Sequence, residues 1–137
     1  MRADIAEWVA KAEGDYVTAM REYRARKQPN YDSACFHAQQ CIEKYLKGVL
    51  RAHRIAFAKT HDLAVLLKMC LDVDPLWEAW REGMETVSHY AVQFRYPGET
   101  ATRDKARRAI EIMKRTRDEL RSALRLPPDR RPRSPRS

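Results

Sequence analysis

Asn30-Tyr31-Asp32-Ser33-Ala34-Cys35-Phe36-His37-Ala38-Gln39-Gln40-Cys41-Ile42-Glu43-Lys44-Tyr45-Leu46-Lys47-Gly48-Val49-Leu50-Arg51-Ala52-His53-Arg54 places apolar residues at three- and four-residue steps. Ala34, Cys35, Ala38, Cys41, Ile42, Tyr45, Leu46 and Val49 therefore share one broad face of an α-helix. A second set, His37, Gln40, Lys44, Lys47 and Arg51, follows the same period and falls within about 80° of arc. One helix thus offers a core-facing side and a stripe of hydrogen-bond donors and cations.

The flanking sequence supplies partners for the apolar side. Ile5, Trp8, Val9, Ala12, Tyr16, Ala19, Met20 and Tyr23 predict a first amphipathic helix over about residues 3–26, stopped by Pro29-Asn30. Asn30 or Asp32 is then expected to cap the second helix. After Arg54 a connection leads to Thr60, a plausible cap for a short third helix with Leu63, Leu66, Leu67 and Cys70 turned inward. Asp74-Pro75 opens a fourth helix carrying Trp77, Trp80, Met84, Val87, Ala91 and Phe94 on one seam, ended by Pro97-Gly98. A fifth helix, about 102–125, has a narrower apolar face of Ala106, Ala109, Ile110, Met113, Leu120 and Leu124. No stretch alternates with period two and no repeat is visible. The expected fold is all-α: an antiparallel up-and-down bundle of about five helices, four long and one short, over residues 1–126. Residues 127–137 hold only Pro, Arg, Ser and Asp after the closing Pro127-Pro128 and are expected to form a disordered basic tail.

Composition narrows the function. A chain of 137 residues suits a single core. No run approaches the roughly 20 apolar residues that span a bilayer, and Met1-Arg2-Ala3-Asp4-Ile5 lacks an apolar signal core, so a cytoplasmic protein is expected. Cys35, Cys41 and Cys70 are odd in number and lie on helical apolar faces, as buried thiols do. Up to Thr102, 14 Lys/Arg meet 14 Asp/Glu; from Arg103 onward, 13 Lys/Arg meet 5 Asp/Glu, so the whole net charge of +8 lies in the C-terminal segment. Such a segment either recruits nucleic acid or an acidic protein surface, or is simply a solvated face.

Motif chemistry is mostly excluded. His37, His53, His61 and His89 form no helical metal-ligand pair, there is no Cys-x-x-Cys, and a phosphate loop is lacking in a chain with four glycines. Neither a metal nor a cofactor is expected. What remains is cationic and polar: His37, Gln40, Lys44, Lys47, Lys59, Thr60, His61, Arg95 and Tyr96. Were the Lys59-Thr60-His61 loop and Arg95-Tyr96 to approach the second helix, they would form a site suited to phosphate. The plainer alternative is that Lys44 and Lys47 pair with Glu43 or solvent, and that Tyr96-Pro97 is only a helix stop. Phe36 and Leu50 lie off the main apolar face, open either to a subunit interface or to another helix of the bundle.

Three blocks carry a family resemblance. Phe36-His37-Ala38-Gln39-Gln40-Cys41-Ile42-Glu43-Lys44-Tyr45-Leu46-Lys47 resembles the second-helix signature of HEPN domains. Lys59-Thr60-His61-Asp62-Leu63 with Leu66-Leu67 is similar to the next block, and Arg95-Tyr96-Pro97 to the one closing the fourth helix. The resemblance implies a small helical bundle, commonly a homodimer, of a kind often encoded beside a minimal nucleotidyltransferase. It also implies nucleotide or RNA binding and toxin–antitoxin pairs. Some members are metal-independent ribonucleases using an Arg and a His four to six residues apart. Here no His follows Arg95, Arg81 and His89 are separated by seven residues, and Arg54 and His61 by six but across a loop. The resemblance therefore implies binding without catalysis, with Arg54, His61 and His89 as the residues that ribonuclease activity would need. Docking through the basic fifth helix is the other alternative.

Overall fold

The computed structural model describes residues 1–128 and consists of α-helices with one 3-10 segment; among these residues there is no strand. The helices are α1 (Ala3–Arg24), α2 (Tyr31–Ala52), α3 (Leu63–Cys70), α4 (Arg81–Gln93) and α5 (Arg103–Ala123), with the 3-10 segment Pro75–Trp80 before α4. The all-α bundle expected from periodicity is the fold found. α2 packs against every other α-helix. Its apolar face explains why: Ala34, Cys35, Ala38, Cys41, Ile42, Tyr45, Leu46 and Val49 are all 0–1 % exposed. Leu50 is fully buried too, so it belongs to the core and leaves no apolar spot for a partner. No described helix is long and apolar enough to cross a membrane.

Caps follow local chemistry, with corrections. Asn30 Oδ1 accepts from the Ser33 amide at 2.9 Å and caps α2. Asp32 instead reaches across the bundle and accepts from the Ala101 amide at 2.7 Å, fixing the approach to α5. Thr102 caps α5. Thr60 does not cap α3; Asp62 does, accepting from Ala64 and Val65, while Thr60 Oγ1 accepts from the Asp62 amide. The carboxylate sits one residue from the helix and wins the free amides. Trp77 and Trp80 lie on the 3-10 segment rather than on α4, their rings stacked at 5.2 Å and 11°. Asp74 and Pro75 start that segment as expected of an opening signal. α4 stops at Gln93, before Pro97-Gly98. Those two residues form the centre of a turn in which the Glu99 amide donates to the Tyr96 carbonyl, with Gly98 at φ 87°, a value that suits glycine at the third position of a type II turn.

α5 docks through charge as well as apolar contact. Arg117, 4 % exposed, forks onto the Glu13 carboxylate of α1 at 2.7 Å through two nitrogens and lies 4.0 Å from the Tyr16 ring centre. Tyr45 Oη donates to the same carboxylate and accepts from Arg121 Nη1 at 3.0 Å. Burial tends to raise the Glu13 pKa, but bonds from Arg117 and Tyr45 and the two guanidinium charges hold it below the usual range. The three cysteines are free and buried, and burial pushes the Cys35 and Cys70 thiols up to about 12. Of the tail expected over residues 127–137, all but Pro127 and Pro128 lie outside the described residues.

Candidate functional site

Glu43 anchors the site. It sits on α2, 3 % exposed, and accepts from Lys47 Nζ at 2.9 Å, Gln39 Nε2 at 3.1 Å and His61 Nδ1–H at 2.9 and 3.0 Å. Burial works to raise its pKa and is outweighed by those three bonds and the Lys47 charge, so the carboxyl stays ionised below its ordinary range. Gln39 Nε2 also donates to the His61 carbonyl at 2.8 Å, and its Oε1 accepts from Gln40 at 2.7 Å. The loop before α3 is thereby fastened to α2 through both the backbone and the ring of His61. The Leu63 amide adds a bond to Ser88 Oγ of α4 at 3.2 Å.

Because a carboxylate only accepts, His61 Nδ1 carries a proton and donates it to Glu43, and Nε2 is left without a hydrogen-bond partner among the described residues. The His61 side chain is 81 % exposed. It lines a cavity of about 540 Å³ between α2, the α3 loop and α4. Phe36, Ala91 and Val92 give this cavity an apolar wall; Gln39, Gln40, His61, Asp62, Ser88 and Arg95 give it polar groups. The Arg95 guanidinium makes no hydrogen bond or ion pair among the described residues. An apolar wall beside convergent polar groups and a free fork is the usual make-up of a small-molecule site, and the fork suits a phosphate or carboxylate.

Of the residues singled out by sequence, Gln40, His61 and Arg95 meet in this cavity. The rest of the stripe is turned to structural partners. His37 Nδ1–H and Lys44 Nζ both donate to Asp15 of α1, at 2.9 and 2.5 Å. Lys47 is 7 % exposed, with its ammonium 5.8 and 5.9 Å from the Trp8 and Phe57 ring centres as well as on Glu43. Thr60 holds the loop turn; Lys59 and Tyr96 are exposed and do not line the cavity. Arg54 lines a different hollow, and His89 is exposed beside Tyr90. Gln39, Asp62 and Ser88 were not singled out as site residues. The Gln39–Glu43–Lys47 spacing of four carried the signal that these three share one helix face. Among the described residues no group of three or more His, Cys, Asp or Glu is placed to hold a metal ion.

The helical fold and the junction of α2, the α3 loop and the end of α4 define a class of small helical domains. The HEPN domain profile matches residues 5–123, most of the chain, and the chain belongs to the HEPN family. That membership points to a nucleotide- or RNA-related function. No curated protein and no solved structure matches the chain.

Proposed function

We propose that this HEPN protein binds a phosphate-bearing ligand, a nucleotide or an RNA end, in the cavity between α2 and α4 without catalysing its conversion. The observation that carries this reading is the meeting of Gln40, His61 and the unpaired Arg95 beside the Phe36, Ala91 and Val92 wall. Arg95 takes the phosphate, His61 and Gln40 hydrogen-bond to sugar or base edges, and the wall covers the ring. Calorimetric titration with ATP, GTP and a short single-stranded RNA tests it. Saturable binding that weakens about tenfold or more with Arg95→Ala supports the reading; equal binding by that variant removes the site assignment.

One observation favours a second reading, a metal-independent ribonuclease. Glu43 orients His61 so that Nε2 faces outward, the arrangement a proton-transfer residue needs. RNA cleavage in the presence of chelator, lost with His61→Ala and kept with His89→Ala, would establish it. A second copy of the chain or a minimal nucleotidyltransferase remains the partner suggested by the family resemblance, as does a place in a toxin–antitoxin pair. Val92 and Tyr96, exposed at 54 and 63 %, are the apolar side chains by which the end of α4 would meet such a partner.

A further inference from the structure

Two hollows flank the same end of the bundle, away from the residues of the proposed nucleotide site. One, of about 500 Å³, is lined by Arg2, Asp4, Arg51, Arg54, Ile55 and Ala56. The other, of about 490 Å³, is lined by Met1, Ile5, Ala52, His53, Leu124 and Arg125, among others. Their linings interleave along the start of α1 and the end of α2. Together they gather Arg2, Arg51, Arg54 and Arg125 against one acid, Asp4, which lies 3.4 Å from Arg2 and 3.7 Å from Arg51.

The backbone at this end adds a second observation. α2 and α5 both finish with a left-handed residue: the Ile55 amide returns to the Leu50 carbonyl and the Leu126 amide to the Arg121 carbonyl, each at 2.9 Å. That conformation is normally given to glycine, yet here Arg54 (φ 57°) and Arg125 (φ 59°) occupy it. Neither side chain makes a hydrogen bond or ion pair among the described residues. Strain accepted for a side chain without a structural partner is a mark of a functional surface. These turns also occupy helix-end carbonyls, as does Arg2 Nη2 on the Arg51 carbonyl at 2.5 Å, so the negative ends of the two helices are partly covered by donors.

We infer that this end of the bundle is a docking surface for the phosphate backbone of a nucleic acid. Cations spread over two hollows fit an extended polyanion better than a single phosphate. Among the described residues at this end, Met1 is the one large exposed apolar side chain, which is little to anchor a lipid surface. The inference stands apart from the nucleotide site, whose lining shares no residue with these hollows.

The test is fluorescence anisotropy of a labelled single-stranded oligonucleotide with the full chain across a salt series. Arg54→Gly with Arg125→Gly removes both charges while relieving the left-handed strain, so the fold is retained, as a thermal melt checks. The expected result is binding about tenfold weaker at low salt, and a slope of log K against log salt reduced by about 1.4, the share of two phosphate contacts on a single strand. Lys68→Ala, on the exposed side of α3 and outside all three hollows, leaves that slope unchanged. An unchanged slope in the double glycine variant overturns the inference. So does a loss seen only when Arg130, Arg131, Arg133 and Arg136 are replaced by Ala, or tighter binding to phosphatidylserine vesicles than to the oligonucleotide.

Discussion

At the scale of single residues, two carboxylates, Glu43 buried and Glu13 half-buried, do most of the positioning. Glu13 and Glu43 are both held below the ordinary carboxyl range, against burial, by cations and hydrogen bonds. Between each folded pKa and the unfolded value of about 4.3, the unfolded chain binds more protons, so stability rises with pH across that interval. Thermal melts are therefore expected to be level from pH 7 down to about 5, with the midpoint falling as pH drops below about 4. Glu43→Gln is expected to flatten that acid limb. It also leaves Lys47 buried without its counter-charge, at a cost of about 3 kcal/mol. A midpoint that ignores pH down to 3, or a Glu43→Gln protein as stable as the parent, would contradict this assignment. Sequence spacing put Glu43 and Lys47 on one helical face but did not rank burial over exposure. Asp15, which takes His37 and Lys44, lies 22 and 29 residues before them, beyond the reach of any local rule.

At the scale of elements, the apolar faces were legible and the ends less so. Eight core residues of α2 were legible from its period, because three- and four-residue spacing has one geometric solution, whereas Leu50, off that face by period, is buried by the neighbouring helices. Leu46→Ala, at a fully buried position, is expected to cost about 2–5 kcal/mol in chemical denaturation. The α3 cap was misplaced between Thr60 and Asp62, two good capping residues separated by one position. Its true owner makes a sharper expectation: Asp62→Ala costs about 1 kcal/mol and loosens the loop that presents His61. Thr60→Ala affects stability less. The 3-10 segment was hidden because Pro75 and the two tryptophans fit an α-helical seam equally well; stacking of Trp77 on Trp80 accompanies the tighter winding. Arg54→Gly alone should raise stability by up to about 1 kcal/mol, and a loss instead would mean that the left-handed turn is not strained.

At the scale of the whole molecule, α2 is a central post: one side makes the core, and Glu43 and Gln39 pin a loop that brings His61 toward the cavity shared with Arg95. The three sequence blocks are far apart in the chain, yet each sends polar residues to one cavity: Gln39 and Gln40 from the first, His61 and Asp62 from the second and Arg95 from the third. That convergence could be imagined from sequence only by supposing that the loop folds back on α2, since no periodicity spans residues 40, 61 and 95. The polar stripe read as one surface divides in three dimensions, because α1 brings Asp15 to His37 and Lys44 while Trp8 covers Lys47. The charge asymmetry also changes meaning: the C-terminal excess includes Arg117, which is buried and serves the fold.

The most direct test of the cavity assignment is a calorimetric titration of ATP and GTP into the protein and its Arg95→Ala and Lys44→Ala variants side by side. The cavity reading expects a saturable isotherm that Arg95→Ala weakens about tenfold or more and Lys44→Ala leaves essentially as it was, because Lys44 is committed to Asp15. Binding lost with Lys44→Ala but kept with Arg95→Ala, in variants that melt like the parent, would contradict it and return the site to the polar stripe of α2.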